Sequence, residues 1–344
     1  FLGVPERFIH NNKNATDTAT TNPALVNMDF NFFGDLDGNP LDLEDDAIKA
    51  KFEGVGSLEY TYTSIEAMDA IVVSAEWSEK AEDEEVFFDG MKFVFGSNAF
   101  ATINDALEAV KAGGRIIVLP GTYDEDVEIT KAVKLETMQA KLSPVVDDEP
   151  FKLDSETAVV ITNVWSINNT SNVSIKGFTF TGAARVRQFG PEVSAGTINF
   201  LFENNYVVDT DEATIAWKQT VYEAYGTTEK DNATIPGFIS LAQHGTWMHD
   251  TRIIGNKFEN VSDTHVYLLS VANAVIARNE FLGGDRDAIR FDYGSTYGYF
   301  DIYDNKFEDL EYNGIYIRSY TFQWGTPAIF NIERNTFKNI GAAS

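Results

Sequence analysis

The chain contains no cysteine, so it has no disulfide framework and no thiol chemistry. Cations are scarce: 26 Lys and Arg stand against 53 Asp and Glu, a formal net charge of -27. That balance argues against nucleic acid or an anionic membrane as partner, and it suits high salt or a bath of divalent cations. Histidine is rarer still, with 4 residues in 344. No apolar run is long enough to span a bilayer, so direct membrane insertion is not expected. Phe1 is neither an initiator Met nor the start of a signal peptide, and a mature product or a fragment of something longer is the expectation.

What is present is a repeated phrase. An apolar residue is followed by two others, an Asn, one more residue and an aromatic. It reads Leu201-Phe-Glu-Asn204-Asn-Tyr206, Ile253-Ile-Gly-Asn256-Lys-Phe258, Ile276-Ala-Arg-Asn279-Glu-Phe281, Ile302-Tyr-Asp-Asn305-Lys-Phe307 and Ile332-Glu-Arg-Asn335-Thr-Phe337, with a weaker copy at Ile175-Lys-Gly-Phe178-Thr-Phe180. The aromatic returns after 26, 52, 23, 26 and 30 residues, and 52 is two turns of 26. Such periods signal a solenoid, and the unit here is strand, turn and strand without helical periodicity. A coil this short cannot bury its own apolar face, so successive coils must stack as a parallel β-helix. Inward Ile, Val, Leu and Phe then form ladders. The recurring Asn suits a left-handed or bridging corner where it hydrogen-bonds, a structural rather than ligand-binding use.

Three segments are expected. Residues 1–47 look like the terminal coil of a preceding β-helical unit plus an acidic loop. Residues 48–97 form a small β bridging module, with a hairpin signalled by Asp89-Gly90. Residues 98–344 are the parallel β-helix, interrupted by an insertion near 209–248. Residues 1–98 carry 20 Asp and Glu against 6 Lys and Arg, a wetted acidic face. Within 98–110 lies the best helix, with Thr102 as cap, Asp105 three residues on, one apolar face of Ile103, Leu107 and Val110, and Gly113-Gly114 to end it. Placed before the first coil, it serves as the end cap of the solenoid.

The phrase Phe100-Ala-Thr-Ile103-Asn-Asp-Ala106, with Gly113-Gly114-Arg-Ile-Ile-Val118 and Pro120-Gly121-Thr-Tyr123, resembles the opening of right-handed parallel β-helix proteins of the pectin-lyase-like superfamily. The resemblance covers residues 98–344. It implies an all-β, right-handed single-stranded parallel β-helix with an N-terminal capping helix, here preceded by a small β-rich module. That superfamily includes polysaccharide lyases, hydrolases, pectin methylesterases, phage tailspikes and non-catalytic repeats of microbial surface proteins, so fold alone does not choose a function. The methylesterase pattern has no counterpart here, since its Asp-Phe-Ile-Phe-Gly segment is missing. The stretch Asn27 to Gly34, with its Asn31-Phe-Phe33-Gly34 ending, also resembles the ending of β-helix modules in large surface or S-layer-like proteins, where units stand in tandem.

Candidate groups follow from alternation. If Ile289, Phe291, Ile315 and Ile317 point inward, then Arg290, Asp292, Tyr316, Arg318 and Tyr320 point outward. Lys218 and Tyr267 are expected at comparable places in neighbouring coils, giving one wall of aromatic, basic and acidic groups suited to sugar rings and carboxylates. The plainer alternative is surface ion pairing with Asp285, Asp287 and Asp292. A lyase acting on a uronic-acid polymer needs a base and a carboxylate-neutralising cation, offered by Lys218, Arg290 or Arg318, and a proton donor, offered by Tyr316 or His265. A hydrolase would look to Asp287 and Asp292. His244, His249 and His265 match no recognised zinc spacing, and independent polar histidines fit better. Asp35, Asp37, Asn39 and Asp42 cluster on a tight turn able to hold calcium, a solvated charged turn being the alternative. Sequons at Asn14, Asn168, Asn169, Asn172, Asn232 and Asn260 accord with an extracellular or cell-surface location. The expected function is a non-catalytic structural or adhesion segment whose partners are a cell-surface glycan or neighbouring subunits. The alternative is a polysaccharide lyase.

Overall fold

A computed structural model gives the fold. The structure describes residues 70–88, 91–137, 158–167, 170–188, 199–211, 238–242, 248–269, 271–292, 297–317 and 328–341, preceded by the short strands Ile9–His10, Leu25–Asn27, Phe52–Glu53 and Ser57–Glu59. The chain divides into two compact units, Phe1–Ala70 with Lys80–Ala99, and Ile71–Glu79 with Phe100–Ser344.

In the first unit, Ile9–His10 pairs in parallel with Phe52–Glu53, and Leu25–Asn27 with Ser57–Glu59. Strands Glu85–Phe88 and Met91–Val94 form an antiparallel hairpin with Phe88 opposite Met91, as the Asp89-Gly90 signal predicts. Val86 and Phe93 are its buried side, while Phe87 faces solvent.

The second unit is a β-solenoid. Each coil supplies one strand to each of three parallel sheets, or walls; Val271–Ala277, Glu280–Gly284 and Ile289–Asp292 make up one coil. The first wall runs through the column Ile116, Leu135, Ile175, Phe202, Ile253, Ile276, Ile302 and Ile332, each opposite the next. The second wall carries Phe180, Val207, Phe258, Phe281, Phe307 and Phe337 in one column. From Phe258 to Phe337 the rings stack with centroids 5.0, 5.0 and 4.7 Å apart and planes within 11°. Parallel strands spaced by about 4.8 Å place identical residues at that separation, so the stack follows directly from the repeat.

The helix spans Ile103–Ala109, and Thr102 Oγ1 accepts from the Asp105 amide at 3.1 Å. Ile103, Ala106, Leu107 and Val110 join the core, closing the apolar cross-section of the first coil. A second cap was not legible in the sequence. The Glu125 carboxylate accepts from the Ile103 and Asn104 amides at 2.7 and 3.1 Å, taking up helix N–H groups that have no intrahelical partner.

The corner between the first two walls departs from the expected geometry by one residue. The left-handed position belongs to the residue before the repeated Asn: Gly177, Asn204, Gly255, Arg278, Asp304 and Arg334 all have φ between 52° and 82°. The Asn itself turns inward and is buried. In the coil at 200–210 the inward Asn is therefore Asn205, with Asn204 at the corner and Val207 in the aromatic place, because Phe202 lies opposite Ile253. The doubled Asn204-Asn205 and the neighbouring Tyr206 make the phrase readable in two registers.

Asn205, Asn256, Asn279, Asn305 and Asn335 form a continuous ladder. Each Oδ1 from Asn256 onward accepts from both the backbone N–H and the side-chain Nδ2 of the preceding Asn, at 2.9–3.2 Å. Each Nδ2 also donates to a first-wall carbonyl of the coil before, as Asn279 does to Ile253 at 2.9 Å. At the far end of the described solenoid, Ile329, Ile332 and Phe337 are 42–49% exposed.

Two substitutions separate the ladders. Asn279→Ala strips partners from the Asn256 amides and the Ile253 carbonyl, and should cost about 2–4 kcal/mol in urea unfolding. Asn279→Asp should also destabilise, since a carboxylate accepts but cannot donate to Ile253. Phe281→Ala should cost about 3–5 kcal/mol, whereas Phe337→Ala, at a half-exposed site, should cost well under half of that.

Candidate functional site

The third wall alternates as its sequence implies. Val266, Ile289 and Phe291 are buried, and Ile315 packs half-buried against the core. Ile317, expected to point inward, is instead 40% exposed. The register column that holds Arg290 reads Glu128, Ser166, Arg187, Ser240, Tyr267, Arg290 and Tyr316.

Tyr267, Arg290 and Tyr316 therefore stand at matching positions of three successive coils. The Arg290 guanidinium lies 4.7 Å over the Tyr316 ring, and its Nη1 donates to Asp287 Oδ2 at 3.1 Å. Asp287 is buried, and its other oxygen accepts from the Asn313 amide and side chain at 3.2 and 2.7 Å. One carboxylate thus fixes both the arginine and the corner of the next coil. An arginine held between a carboxylate and a ring is oriented rather than mobile, which suits recognition of a flat ligand face and reduces its freedom as a proton carrier. Tyr267 occupies an outward position but is only 7% exposed, so it contributes little open surface.

Lys218, Arg318, Tyr320 and His244 lie outside the described residues; the backbone position in register with Tyr267 in the preceding coil is Ser240. The backbone of Asp292 sits opposite Leu269, two positions beyond Arg290 on the same wall. Asp35, Asp37, Asn39 and Asp42 also lie outside the described residues. Among the described residues, no group of three His, Cys, Asp or Glu is arranged to hold a metal ion.

His265 is not on the outward face. It immediately precedes the strand Val266–Leu269, in an inward corner row with Phe238 and Ala288, and is fully buried. Its ring packs beside the stacked pair Phe258 and Phe281, with centroids 5.9 and 5.7 Å away. A side chain at Gly284 would collide with the imidazole, since a Cβ there falls 2.4 Å from Nε2. Burial pulls its pKa down to about 3, only slightly offset by the Gly283 backbone, so at neutral pH it is an uncharged core residue. His249 belongs to the first-wall strand Met248–Ile254, well separated in topology from His265, and the two do not form a shared centre.

Outward charges on the second wall are committed to one another. Glu308 accepts from Lys306 at 2.7 Å and from Lys338, and these hydrogen bonds hold its carboxyl down to about 2. Arg334 binds Asp304 through two nitrogens at 2.7 and 3.0 Å, keeping that carboxyl below its ordinary range.

The sequence reading passed over a concave strip on the first wall. Asn199, Asp250, Arg252, Asn273, Tyr299 and Asp301 line a groove of about 470 Å³. Its signal was available: an Asn or Asp recurs at one first-wall position in four successive coils, at Asn172, Asn199, Asp250 and Asn273, all with left-handed φ. No protein-family model and no curated protein matches the chain.

His265 sets a pH prediction. Its folded pKa lies near 3 against an ordinary 6.5, so between those values the unfolded chain takes up a proton that the folded chain refuses. Its contribution is complete above pH 6.5 and is lost as pH falls toward 3. The stability difference between wild type and His265→Phe should therefore shift in favour of the variant by roughly 4–5 kcal/mol across that window, read from urea midpoints at each pH.

Proposed function

We propose that the chain is a non-catalytic β-helical segment of an extracellular or cell-surface protein, serving assembly, spacing or adhesion. The observation that carries this reading is the commitment of its outward charges to structure: Arg290 to Asp287 and Tyr316, Lys306 and Lys338 to Glu308, Arg334 to Asp304. Each pair ties neighbouring residues or neighbouring coils, and a stack tied inside by the Asn ladder and outside by these pairs is a stiff spacer. The resemblance of its opening phrase to pectin-lyase-like β-helices, and of residues 27–34 to tandem surface modules, supports the same reading. Among the described residues no helix is long and apolar enough to cross a membrane. The partner surface on this reading is the third wall around Arg290 and Tyr316, and its partners are a glycan or a neighbouring subunit.

A polysaccharide lyase acting on a uronic-acid polymer is the second reading, favoured by one observation: Tyr267, Arg290 and Tyr316 align on one wall. Purified protein incubated with polygalacturonate or alginate, with and without calcium, should yield no rise in ultraviolet absorbance from unsaturated ends. Product formation that vanishes in Arg290→Ala would replace the structural reading with the lyase. Tyr316→Ala should leave the thermal midpoint nearly unchanged while weakening retention on a glycan surface or self-association.

A further inference from the structure

We propose that the first-wall groove is a second binding site, for a neutral glycan chain lying along the solenoid axis, with Tyr299 as its ring platform. The proposal adds a surface to the adhesion reading and does not depend on the third-wall site.

The groove is produced by a departure from the repeat. Ala272 lies opposite Tyr297 and Ala274 opposite Phe300, so the single residue Asn273 faces two residues, Gly298 and Tyr299. That extra residue is a β-bulge, a device that redirects a side chain at the cost of ladder regularity. Gly298 takes φ +93°, and a Cβ there would meet Asn273 Oδ1 at 2.4 Å, so the bulge requires glycine at this point. Its product is Tyr299, pushed out to 60% exposure, with its amide anchored on Asn273 Oδ1 at 3.0 Å. The core gains nothing from this, since Phe300 and Ile302 already fill the inward places of that strand.

The chemistry of the lining narrows the ligand. Below Tyr299 stand two amides, Asn199 and Asn273, two carboxylates, Asp250 and Asp301, and one guanidinium, Arg252. Asp301 is steadied by Asn331 at 2.8 Å, and Asn199 by Asn172 at 3.0 Å. Donors and acceptors beside an exposed ring match a pyranose, which offers hydroxyls at its rim and C–H groups on its face. An extended peptide has no purchase here, because the wall's backbone groups are consumed by pairing with neighbouring coils. A polyanion meets two carboxylates against one arginine, on a chain of net charge -27. A neutral chain escapes that repulsion. Coils stacked at about 4.8 Å present equivalent polar groups in sequence, a pattern suited to a polymer of regular repeat.

The test is isothermal titration of the full chain with linear neutral hexasaccharides of β-1,4-glucose, β-1,3-glucose, β-1,4-mannose and α-1,4-glucose, with polygalacturonate and an unstructured neutral peptide alongside. Saturable binding of at least one neutral hexasaccharide is expected, weakened tenfold or more by Tyr299→Ala with an unchanged thermal midpoint, and likewise by Asp250→Asn, which keeps a residue suited to the left-handed φ of that position. Phe87→Ala, which removes an exposed ring of the first unit, should bind like wild type. Loss of binding in Tyr316→Ala with full binding in Tyr299→Ala would move the site to the third wall and overturn the groove. Binding of none of the neutral chains, or binding of polygalacturonate or peptide in their place, overturns it as well.

Discussion

The buried amide ladder is the constraint on which the solenoid depends. At the corner between the first two walls the backbone turns sharply, and the inward N–H that results cannot reach water. Each of Asn205, Asn256, Asn279 and Asn305 has that N–H satisfied by the Oδ1 of the next Asn, while its own Nδ2 reaches back to a carbonyl of the previous coil. An unpaired buried donor costs about 1–3 kcal/mol, so an unladdered corner repeated over five coils would cancel much of the stability of a typical domain. The ladder also fixes register. An amide one residue out of step cannot meet its neighbour, so the Phe column and the outward rows inherit their alignment from it.

This explains which parts of the fold were legible in sequence. A residue that must recur once per coil leaves a period, and the Asn and Phe columns were readable for that reason. The helix cap was legible because Thr102 and Asp105 are three apart on one chain. Glu125, which caps the same helix from across the fold, carries no such local mark. The slip at Asn204-Asn205 has a different cause. Two adjacent Asn residues satisfy the same pattern in either register, and only the pairing of Phe202 with Ile253 distinguishes them.

The candidate site was legible to a lesser degree. Alternation within Ile289–Asp292 and Ile315–Ile317 sufficed to place Arg290 and Tyr316 on one face. It did not reveal that Tyr267 is only 7% exposed, because alternation assigns a side of the strand and not the accessibility of that side. His265 precedes its strand, where period-two reasoning no longer applies, and it falls inside rather than out. Lys218 lies outside the described residues, and the backbone position in register with Tyr267 in the coil before it is Ser240. The groove escaped notice because a bulge is a break in the repeat, and a reading built on regularity discards breaks.

Charge follows from the same stacking. Identical residues repeated once per coil would set like charges one strand spacing apart, a repulsion that grows with every coil. The outward columns avoid this by changing sign or charge between neighbours: Arg278, Asp304 and Arg334 in the corner row, Glu308 beneath Lys338, Asp309 beneath Asn339, Asp301 beneath Asn331. These contacts sit on exposed surface and contribute little energy individually. Their effect is on specificity, because a coil stacked out of order would bring Asp against Asp. These pairs offset only part of the charge, since residues 99–344 still hold 33 acidic against 20 basic groups, about as large an excess as the 20 against 6 of residues 1–98. The stacking contacts therefore settle which charges face each other between coils, and leave the solenoid acidic as a whole.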